Sequence, residues 1–274
     1  MILFDRVAMA YGLLVVLALG LFGGAAHAKG KFQRFTVDGV REPSGIALHP
    51  RLRHLFVVGD EGTVGELDGD GKTIRADPVA GNLEDLVFHP ASGMLVLLVE
   101  SPPGLVVYDP ASHAEKRRIA LEVAGLLLSR APEGRKGQGF EGLAFRPEPG
   151  RPGGGVFYLA HQRSPATLVA VAFDPEHAAT VGKDAVVGRW SMDRYQHLTA
   201  ISYEATLGRF LLIADRRLVV LRADGTTEAE SPELPFLHPE GVCLDDAGAL
   251  WIADDPTGLF RYAGGVAALT GKGP

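Results

Sequence analysis

A short phrase recurs five times along this chain and constrains its fold more than any other feature. Each copy has a small or acidic residue, then Gly, Asp or Ala, then about four apolar or alternating residues, and then a turn. The copies are PSGIALHP (43–50), LEDLVFHP (83–90), FEGLAFRP (140–147), LTAISYEA (198–205) and PEGVCLDD (239–246). Their starts are about 40 or about 58 residues apart, so the repeating unit has about 40 residues and two units carry insertions.

Each phrase is followed by a second and a third strand-like run, and four units have a more polar fourth run. Three or four short strands per unit of about 40 residues are typical of a β-propeller blade. The fifth unit lacks a fourth run, and KFQRFTVDG (31–39) precedes the first unit without belonging to it. We therefore predict an all-β, five-bladed β-propeller in which this N-terminal segment supplies the outer strand of the last blade.

A six-bladed ring is the alternative to five blades. Its extra blade would come from the insertion EVAGLLLSRAPEGRKGQG (122–139), which is too short for four strands. An ordinary β-sandwich does not account for five equal three-strand phrases.

Composition agrees with one all-β domain. The 274 residues are 46% hydrophobic and include 35 Gly and 18 Pro, which suits many short strands joined by tight turns. The net charge of −6 argues against a nucleic-acid or anionic-membrane surface, since both need clustered Lys and Arg. The single cysteine, Cys243, is expected to be a small buried hydrophobe, and we expect a monomer.

The N-terminal segment is expected to be separate from the propeller. Residues 1–28 contain an apolar run of about 20 residues and a small-x-small pattern at Ala26–Ala28. The segment is interpreted as a cleaved signal peptide or as an uncleaved membrane anchor, and residues 29–274 as one propeller domain. Either interpretation places the domain in the periplasm or outside the cell, with membrane contact through this segment alone.

Aligned phrases predict a ring of side chains at one mouth of the central channel. The first strand of a propeller blade is innermost, so the second residue of each phrase starts that strand at the same mouth. These residues are Ser44, Glu84, Glu141, Thr199 and Glu240. Three carboxylates so close together need raised pKa values, cationic neighbours or a bound cation. An all-oxygen set favours a hard cation, Ca²⁺ ahead of Mg²⁺.

A second, wider ring is predicted from the ends of the second strands, which return to the same mouth. It consists of Asp60, Glu100, His161, Asp215 and Asp254. Two other interpretations of the inner glutamates remain open. They could accept hydrogen bonds from main-chain N–H groups of the next blade, or they could act directly in acid–base catalysis.

These phrases resemble the SdiA-regulated family of bacterial extracytoplasmic β-propellers, which is distantly similar to NHL-repeat proteins. The likeness rests on EPSGIALHP, NLEDLVFHP, GFEGLAF and HPEGVCLDDAGALWIADD and covers nearly all of residues 31–265. It implies a five-bladed propeller with a bound calcium at Glu84, Glu141 and Glu240. Ser44 and Thr199 depart from the family's glutamate pattern.

FEGLAF also resembles the esterase-like or phytase-like propeller domains. The lactonase-type six-bladed enzymes are less similar, because they use asparagine ligands and this sequence has a single asparagine, Asn82.

Two functional hypotheses follow. The first is an exported calcium-binding module or scaffold for an unidentified small-molecule or protein ligand at the acidic mouth. The second is a metal-dependent esterase or phosphoesterase, in which His161 or one of Glu100, Asp215 and Asp254 serves as the base.

Overall fold

The structure is a computed structural model that describes residues 32–127, 139–163 and 166–271. The predicted signal peptide or anchor and the basic part of the insertion, 130–136, lie outside the described residues. Across the described ranges, no helix is long and apolar enough to cross a membrane.

Alternating strands and glycine-containing turns produce five small sheets, each of which is one blade. The N-terminal strand is β1 (Gln33–Phe35). Blade 1 contains β2 (Pro43–His49), β3 (His54–Gly59), β4 (Thr63–Leu67) and β5 (Thr73–Pro78). Blade 2 contains β6 (Leu83–His89), β7 (Met94–Val99), β8 (Gly104–Asp109) and β9 (Ala114–Leu121).

The remaining blades repeat this antiparallel order. Blade 3 contains β10 (Phe140–Pro147), β11 (Gly155–His161), β12 (Thr167–Val171) and β14 (Val186–Ser191), and the connection before β14 carries the two-residue strand β13 (Thr180–Val181). Blade 4 contains β15 (Leu198–Glu204), β16 (Arg209–Ala214), β17 (Arg217–Leu221) and β18 (Thr227–Glu233). Blade 5 contains β19 (Pro239–Leu244), β20 (Leu250–Asp254) and β21 (Gly258–Tyr262).

A connection of blade 3 extends the outer edge of blade 2, because strand β13 pairs in parallel with β9. The helices are α1 (Val123–Leu126) and α2 (Gly265–Thr270), with 3₁₀ turns at Pro152–Gly154 and Lys183–Ala185. Helix α2 packs against β18 of blade 4.

The ring closes as the repeat count predicts. Strand β1 pairs antiparallel with β21, with Arg34 opposite Phe260, and so becomes the outer strand of blade 5. The inner strands β2, β6, β10, β15 and β19 each pack against the next, and β19 packs against β2. The five-bladed propeller closed by the N-terminal strand is therefore confirmed.

The apolar core lies between the blades. Five clusters of buried side chains are present in the described residues, and each joins two adjacent blades. The cluster between blades 5 and 1, for example, brings Trp251 and Leu259 against Val57 and Leu67. Because each blade packs on both faces, its middle strands are continuous apolar runs rather than alternating ones.

Candidate functional site

Each inner strand begins with a β-bulge, and the bulged position is the predicted inner-ring residue. The strand pairings skip one residue in all five blades, between Pro43 and Gly45 in blade 1 and at the equivalent place elsewhere. The skipped residues are Ser44, Glu84, Glu141, Thr199 and Glu240. A bulge leaves one residue out of the ladder and redirects its side chain, a device that recurs beside functional sites.

The glycine that follows the glutamate in two of these bulges is required by close packing of the inner strands. A Cβ on Gly142 would lie 2.9 Å from the main-chain nitrogen of Ile201 in the next blade. A Cβ on Gly241 would lie 2.6 Å from the main-chain oxygen of Ser44. The recurrent Glu-Gly pair thus combines a redirected carboxylate with a position that must have no side chain.

Two of the inner-ring glutamates interact directly with each other. The carboxyl groups of Glu84 and Glu141 lie close enough that a hydrogen bond between them forms when one of the two is protonated. Burial raises the pKa of both groups, and the negative charge of Glu141 raises that of Glu84 further. Glu84 is only 6% exposed, so ionisation of its carboxyl group would lose most of the stabilisation that water gives a free carboxylate.

Glu240 adds a third perturbed carboxyl at this mouth. Burial, followed by the charges of Asp60 and Asp255, raises the pKa of Glu240 to about 8. Burial also raises the pKa of Asp60 to about 6, although a hydrogen bond donated by Ser44 Oγ to Asp60 Oδ1 opposes the rise. These carboxyl groups are therefore close enough to oppose one another's ionisation.

The predicted second ring has a different role in blades 4 and 5. Asp215 accepts main-chain hydrogen bonds from Gln196 N at 3.0 Å and His197 N at 2.9 Å. Asp254 accepts one from His238 N at 2.7 Å. These carboxylates therefore hold the linker that enters the inner strand of the same blade.

Inner-ring glutamates lack this kind of support. In the described part of the chain, no main-chain N–H donates to Glu84, Glu141 or Glu240. The interpretation in which each glutamate is satisfied by backbone amides of the next blade is therefore not what this structure shows.

The other predicted residues lie around the same mouth with defined contacts. Thr199 Oγ1 donates to Pro239 O at 2.6 Å, which ties blade 4 to blade 5. Glu100 Oε2 accepts from Asn82 Nδ2 at 3.0 Å. The ring of His161 packs edge-on against Phe140, with 5.5 Å between ring centroids. The guanidinium of Arg163 lowers the pKa of Glu141 and so partly offsets its burial.

Three buried side-chain oxygens near this mouth have no hydrogen-bond partner among the described residues. They are Asn82 Oδ1, Gln162 Oε1 and Asp255 Oδ1. Asn82 is two residues before Glu84, and Gln162 and Asp255 follow the last residues of β11 and β20. A buried oxygen normally accepts a hydrogen bond or binds an ion, so these three atoms are available to a cation or a water molecule.

The oxygen atoms gathered at the acidic mouth are of the types that a hard cation binds. Carboxylate, amide and hydroxyl oxygens are the ligands that Ca²⁺ takes in proteins. Within the described ranges, no three His, Cys, Asp or Glu side chains already stand in a metal-holding arrangement. Glu84 and Glu141 interact directly with each other, so a cation bound between them would take the place of this interaction.

One functional-site residue was not predicted. Asp85 takes the place of the bulge glycine in blade 2, is 3% exposed, and accepts hydrogen bonds from Leu143 N at 2.7 Å and Leu86 N at 2.8 Å. The main chain of Ile201 also hydrogen-bonds to it. A Cβ on Gly45 would lie 2.7 Å from Asp85 Oδ1. Asp85 thus meets the main chain of blades 3 and 4, lies close to Gly45 of blade 1, and is placed between these inner strands behind the acidic mouth.

Comparison with known proteins agrees with this geometry. The SdiA-regulated family model matches residues 27–263. The chain belongs to the SdiA-regulated family. The recurrent bulged glutamates are thus features of an SdiA-regulated propeller.

Similar solved structures are remote in sequence from this SdiA-regulated protein. The β-propeller domain of Cps50 (Swd1) from Myceliophteria thermophila is 14% identical, with 82% of this chain and 65% of that chain covered and a TM-score of 0.42. A streptogramin B lyase is 10% identical, with 80% and 64% covered and a TM-score of 0.41. A protein of unknown function from Bacteroides caccae is 8% identical, with 77% and 70% covered and a TM-score of 0.48. The chain spans slightly less than two thirds of the first two structures.

Proposed function

We propose that this protein is an exported calcium-binding propeller that serves as a binding or scaffold module. The main support for this proposal is the group formed by Glu84, Glu141 and Glu240. These three buried carboxyls have raised pKa values, and no main-chain N–H of the described residues donates a hydrogen bond to them. A buried carboxyl in this situation either keeps a proton or acquires a cation.

Calcium would replace the proton that Glu84 and Glu141 share. Glu84, Glu141 and Glu240 supply negative charge, and the unpartnered oxygens of Asn82 and Gln162 supply neutral ligands. These residue types match the oxygen-only shell of Ca²⁺, which tolerates irregular geometry better than Mg²⁺ does.

Hydroxyl groups remain available for the same ion. Thr199 and Ser44 each use their hydrogen in a bond to a neighbouring oxygen. A hydroxyl that donates its hydrogen keeps lone pairs for a cation. Both residues therefore remain candidate ligands, as the sequence predicts.

A bound cation would make this mouth a recognition surface. Its charge would offset most of the charge of the three inner carboxylates, and an open coordination position would accept a carbonyl or hydroxyl oxygen of a small-molecule or protein ligand. The apolar run and small-x-small pattern of residues 1–28 support export as a part of this proposal.

Calcium binding can be measured directly on the purified protein. After dialysis against a chelator-treated buffer, calorimetric titration is expected to show saturable binding of one calcium per chain, and elemental analysis is expected to find calcium in protein purified without chelator. Glu141→Gln should weaken binding at least tenfold. Glu66→Gln is the matched control, because Glu66 is a buried acid outside the ring. Its Oε1 atom lies 2.7 Å from Nδ1 of His54. Equal calcium affinity in wild type and Glu141→Gln would refute the proposal.

The hydrolase hypothesis has a separate readout. Wild-type protein is expected to leave p-nitrophenyl esters and phosphoesters unchanged in calcium. Turnover that a chelator abolishes and that is lost in Glu141→Gln would instead establish the esterase or phosphoesterase and overturn the binding-only function.

A further inference from the structure

A cavity lies at the end of the channel opposite the acidic mouth. It has a volume of about 560 Å³, and all five inner strands contribute to its lining. Most of the lining is apolar, with Ile46, Leu86, Phe88, Leu143, Phe145 and Tyr203 among its residues. This volume and this lining are typical of pockets for small organic molecules. We call it the far cavity.

The far cavity has a fixed rim and is separated from the acidic mouth. Pro50, Pro90 and Pro147, at or directly after the ends of three inner strands, lie along its lining, and proline restricts the backbone there. Asp85 lies between the two ends of the channel, where it accepts a hydrogen bond from Leu143 N of blade 3 and one from the main chain of Ile201 of blade 4. A ligand of the far cavity would therefore not contact the inner-ring glutamates.

One carboxyl group in the far cavity lacks a charged partner. Glu204 Oε1 accepts from Ser202 Oγ at 3.1 Å and from Leu244 N at 3.1 Å. No hydrogen bond from the described residues reaches its Oε2 atom. Burial raises the pKa of Glu204 to about 7, while the bonds from Ser202 and Leu244 oppose this rise.

Charges of the other lining residues are already compensated. Asp245 accepts from Arg261 Nε at 2.9 Å, and Asp246 accepts from Arg53 Nε at 2.6 Å. The described residues that line the far cavity include no Lys, Arg or His. Glu204, when ionised, therefore places a negative charge without a cationic partner in this apolar space. Such a charge is complementary to a cation.

We propose that the far cavity binds a small apolar molecule that carries one protonated amine. The ammonium group donates to Glu204 Oε2, and the hydrocarbon part packs against Leu86, Leu143 and their neighbours. The rings of Phe88, Phe145 and Tyr203 add surfaces that attract a cation and pack against an aromatic ligand. A charge-assisted hydrogen bond in an apolar cavity gives both affinity and discrimination against neutral analogues.

The test uses the full propeller in calcium-containing buffer at pH 7.5 and a matched pair of probes. Calorimetry or saturation-transfer NMR is expected to show saturable binding of 2-phenylethylamine and at least tenfold weaker binding of 2-phenylethanol. Glu204→Gln should weaken the amine at least tenfold and leave the alcohol unchanged. Glu84→Gln, which alters the opposite end of the channel, should leave the amine unchanged.

A second variant keeps the test informative if Glu204→Gln does not fold. Ala205 is exposed at the cavity lining, so Ala205→Trp fills the entrance without adding bulk to the core and should abolish binding of the amine. Four outcomes would overturn the proposal: no saturable amine binding to the wild type, equal affinity for the alcohol, amine binding that survives in either far-cavity variant, or loss of the amine only in Glu84→Gln.

Discussion

Replacement of Glu240 by glutamine is predicted to stabilise the protein without calcium and to destabilise it with calcium. The pKa of Glu240 is raised from 4.5 to about 8. At pH 7 the unfolded chain would ionise this group, whereas the calcium-free folded protein would keep it mostly protonated. Each pH unit between 4.5 and 7 contributes about 1.36 kcal/mol to this difference. The ionisable group therefore lowers the free energy of unfolding at pH 7 by about 3 kcal/mol.

Glutamine removes this penalty while it keeps the size of the side chain. For a domain of this size, 1 kcal/mol corresponds to about 2–4 °C in Tm. In EDTA at pH 7, Glu240→Gln is therefore expected to raise Tm by up to about 6–12 °C. In excess calcium, ion binding at the proposed site would stabilise the wild type, and the variant would lack one charged ligand for the ion. The order of the two Tm values should then reverse.

The pH dependence has a definite sign. A carboxyl whose folded pKa is raised contributes its stability fully below its unfolded pKa, and this contribution is lost as pH rises toward the folded pKa. In EDTA, the wild type should lose stability between pH 4.5 and 8 because of Glu240, and between pH 3.8 and 6 because of Asp60. Calcium should oppose this loss, since carboxylates bind the ion in the deprotonated form.

Differential scanning calorimetry at pH 5, 7 and 8, in EDTA and in calcium, measures all of these effects. Glu66→Gln is the control, because the pair of Glu66 with His54 lies away from the ring. The sign of the Tm difference between this variant and the wild type should be the same in EDTA and in calcium. A lower Tm for Glu240→Gln than for the wild type in EDTA would refute the reasoning, since the carboxylate would then stabilise the fold without an ion.

Three further predictions concern the architecture around the channel. Asp85→Asn directs an N–H₂ group toward buried main-chain donors such as Leu143 N, and is expected to cost about 1–3 kcal/mol in urea unfolding; no loss would show that the carboxylate is not needed as an acceptor. Gly142→Ala places a Cβ 2.9 Å from the main chain of the next blade and should cost about 1–3 kcal/mol by the same measurement, whereas a neutral effect would mean that the inner strands separate easily. Phe35→Ala removes a ring 4.8 Å from that of Trp251 and should lower stability by about 2 kcal/mol with a red shift of tryptophan fluorescence; an unchanged spectrum would show that β1 does not protect this interface.

The ring and its closure were predictable from sequence because they depend on local repetition. Five phrases of the same kind predict five inner strands, and the missing fourth run of the last unit predicts the role of β1. The equivalence of Glu84, Glu141 and Glu240 follows from the same alignment. The bulges were not predicted, although a glutamate before a glycine at the start of a buried strand is the local signal for them.

Contacts that cross the channel could not be predicted in this way. In the alignment, Asp85 is one member of a column that also contains glycine and alanine, and nothing local shows that its carboxylate reaches Leu143 and Ile201 in other blades. For a similar reason, the sequence did not show that Asp215 accepts main-chain hydrogen bonds whereas Glu141 does not. Both follow from strand ends at one mouth, but only Asp215 lies where a linker directs its amides inward.

Asp85 also changes what a propeller of this kind can do with its axis. An open channel would join the acidic mouth to the far cavity, and the carboxylates would draw water and cations through an otherwise apolar space. Asp85 accepts a hydrogen bond from the main chain of blade 3, and a side chain at Gly45 of blade 1 would collide with it, because a Cβ there would lie 2.7 Å from Asp85 Oδ1. Asp85 therefore stands between the acidic mouth and Glu204 in the far cavity. The proposed cation at one end and the proposed amine at the other would meet different surroundings because this buried side chain lies between them.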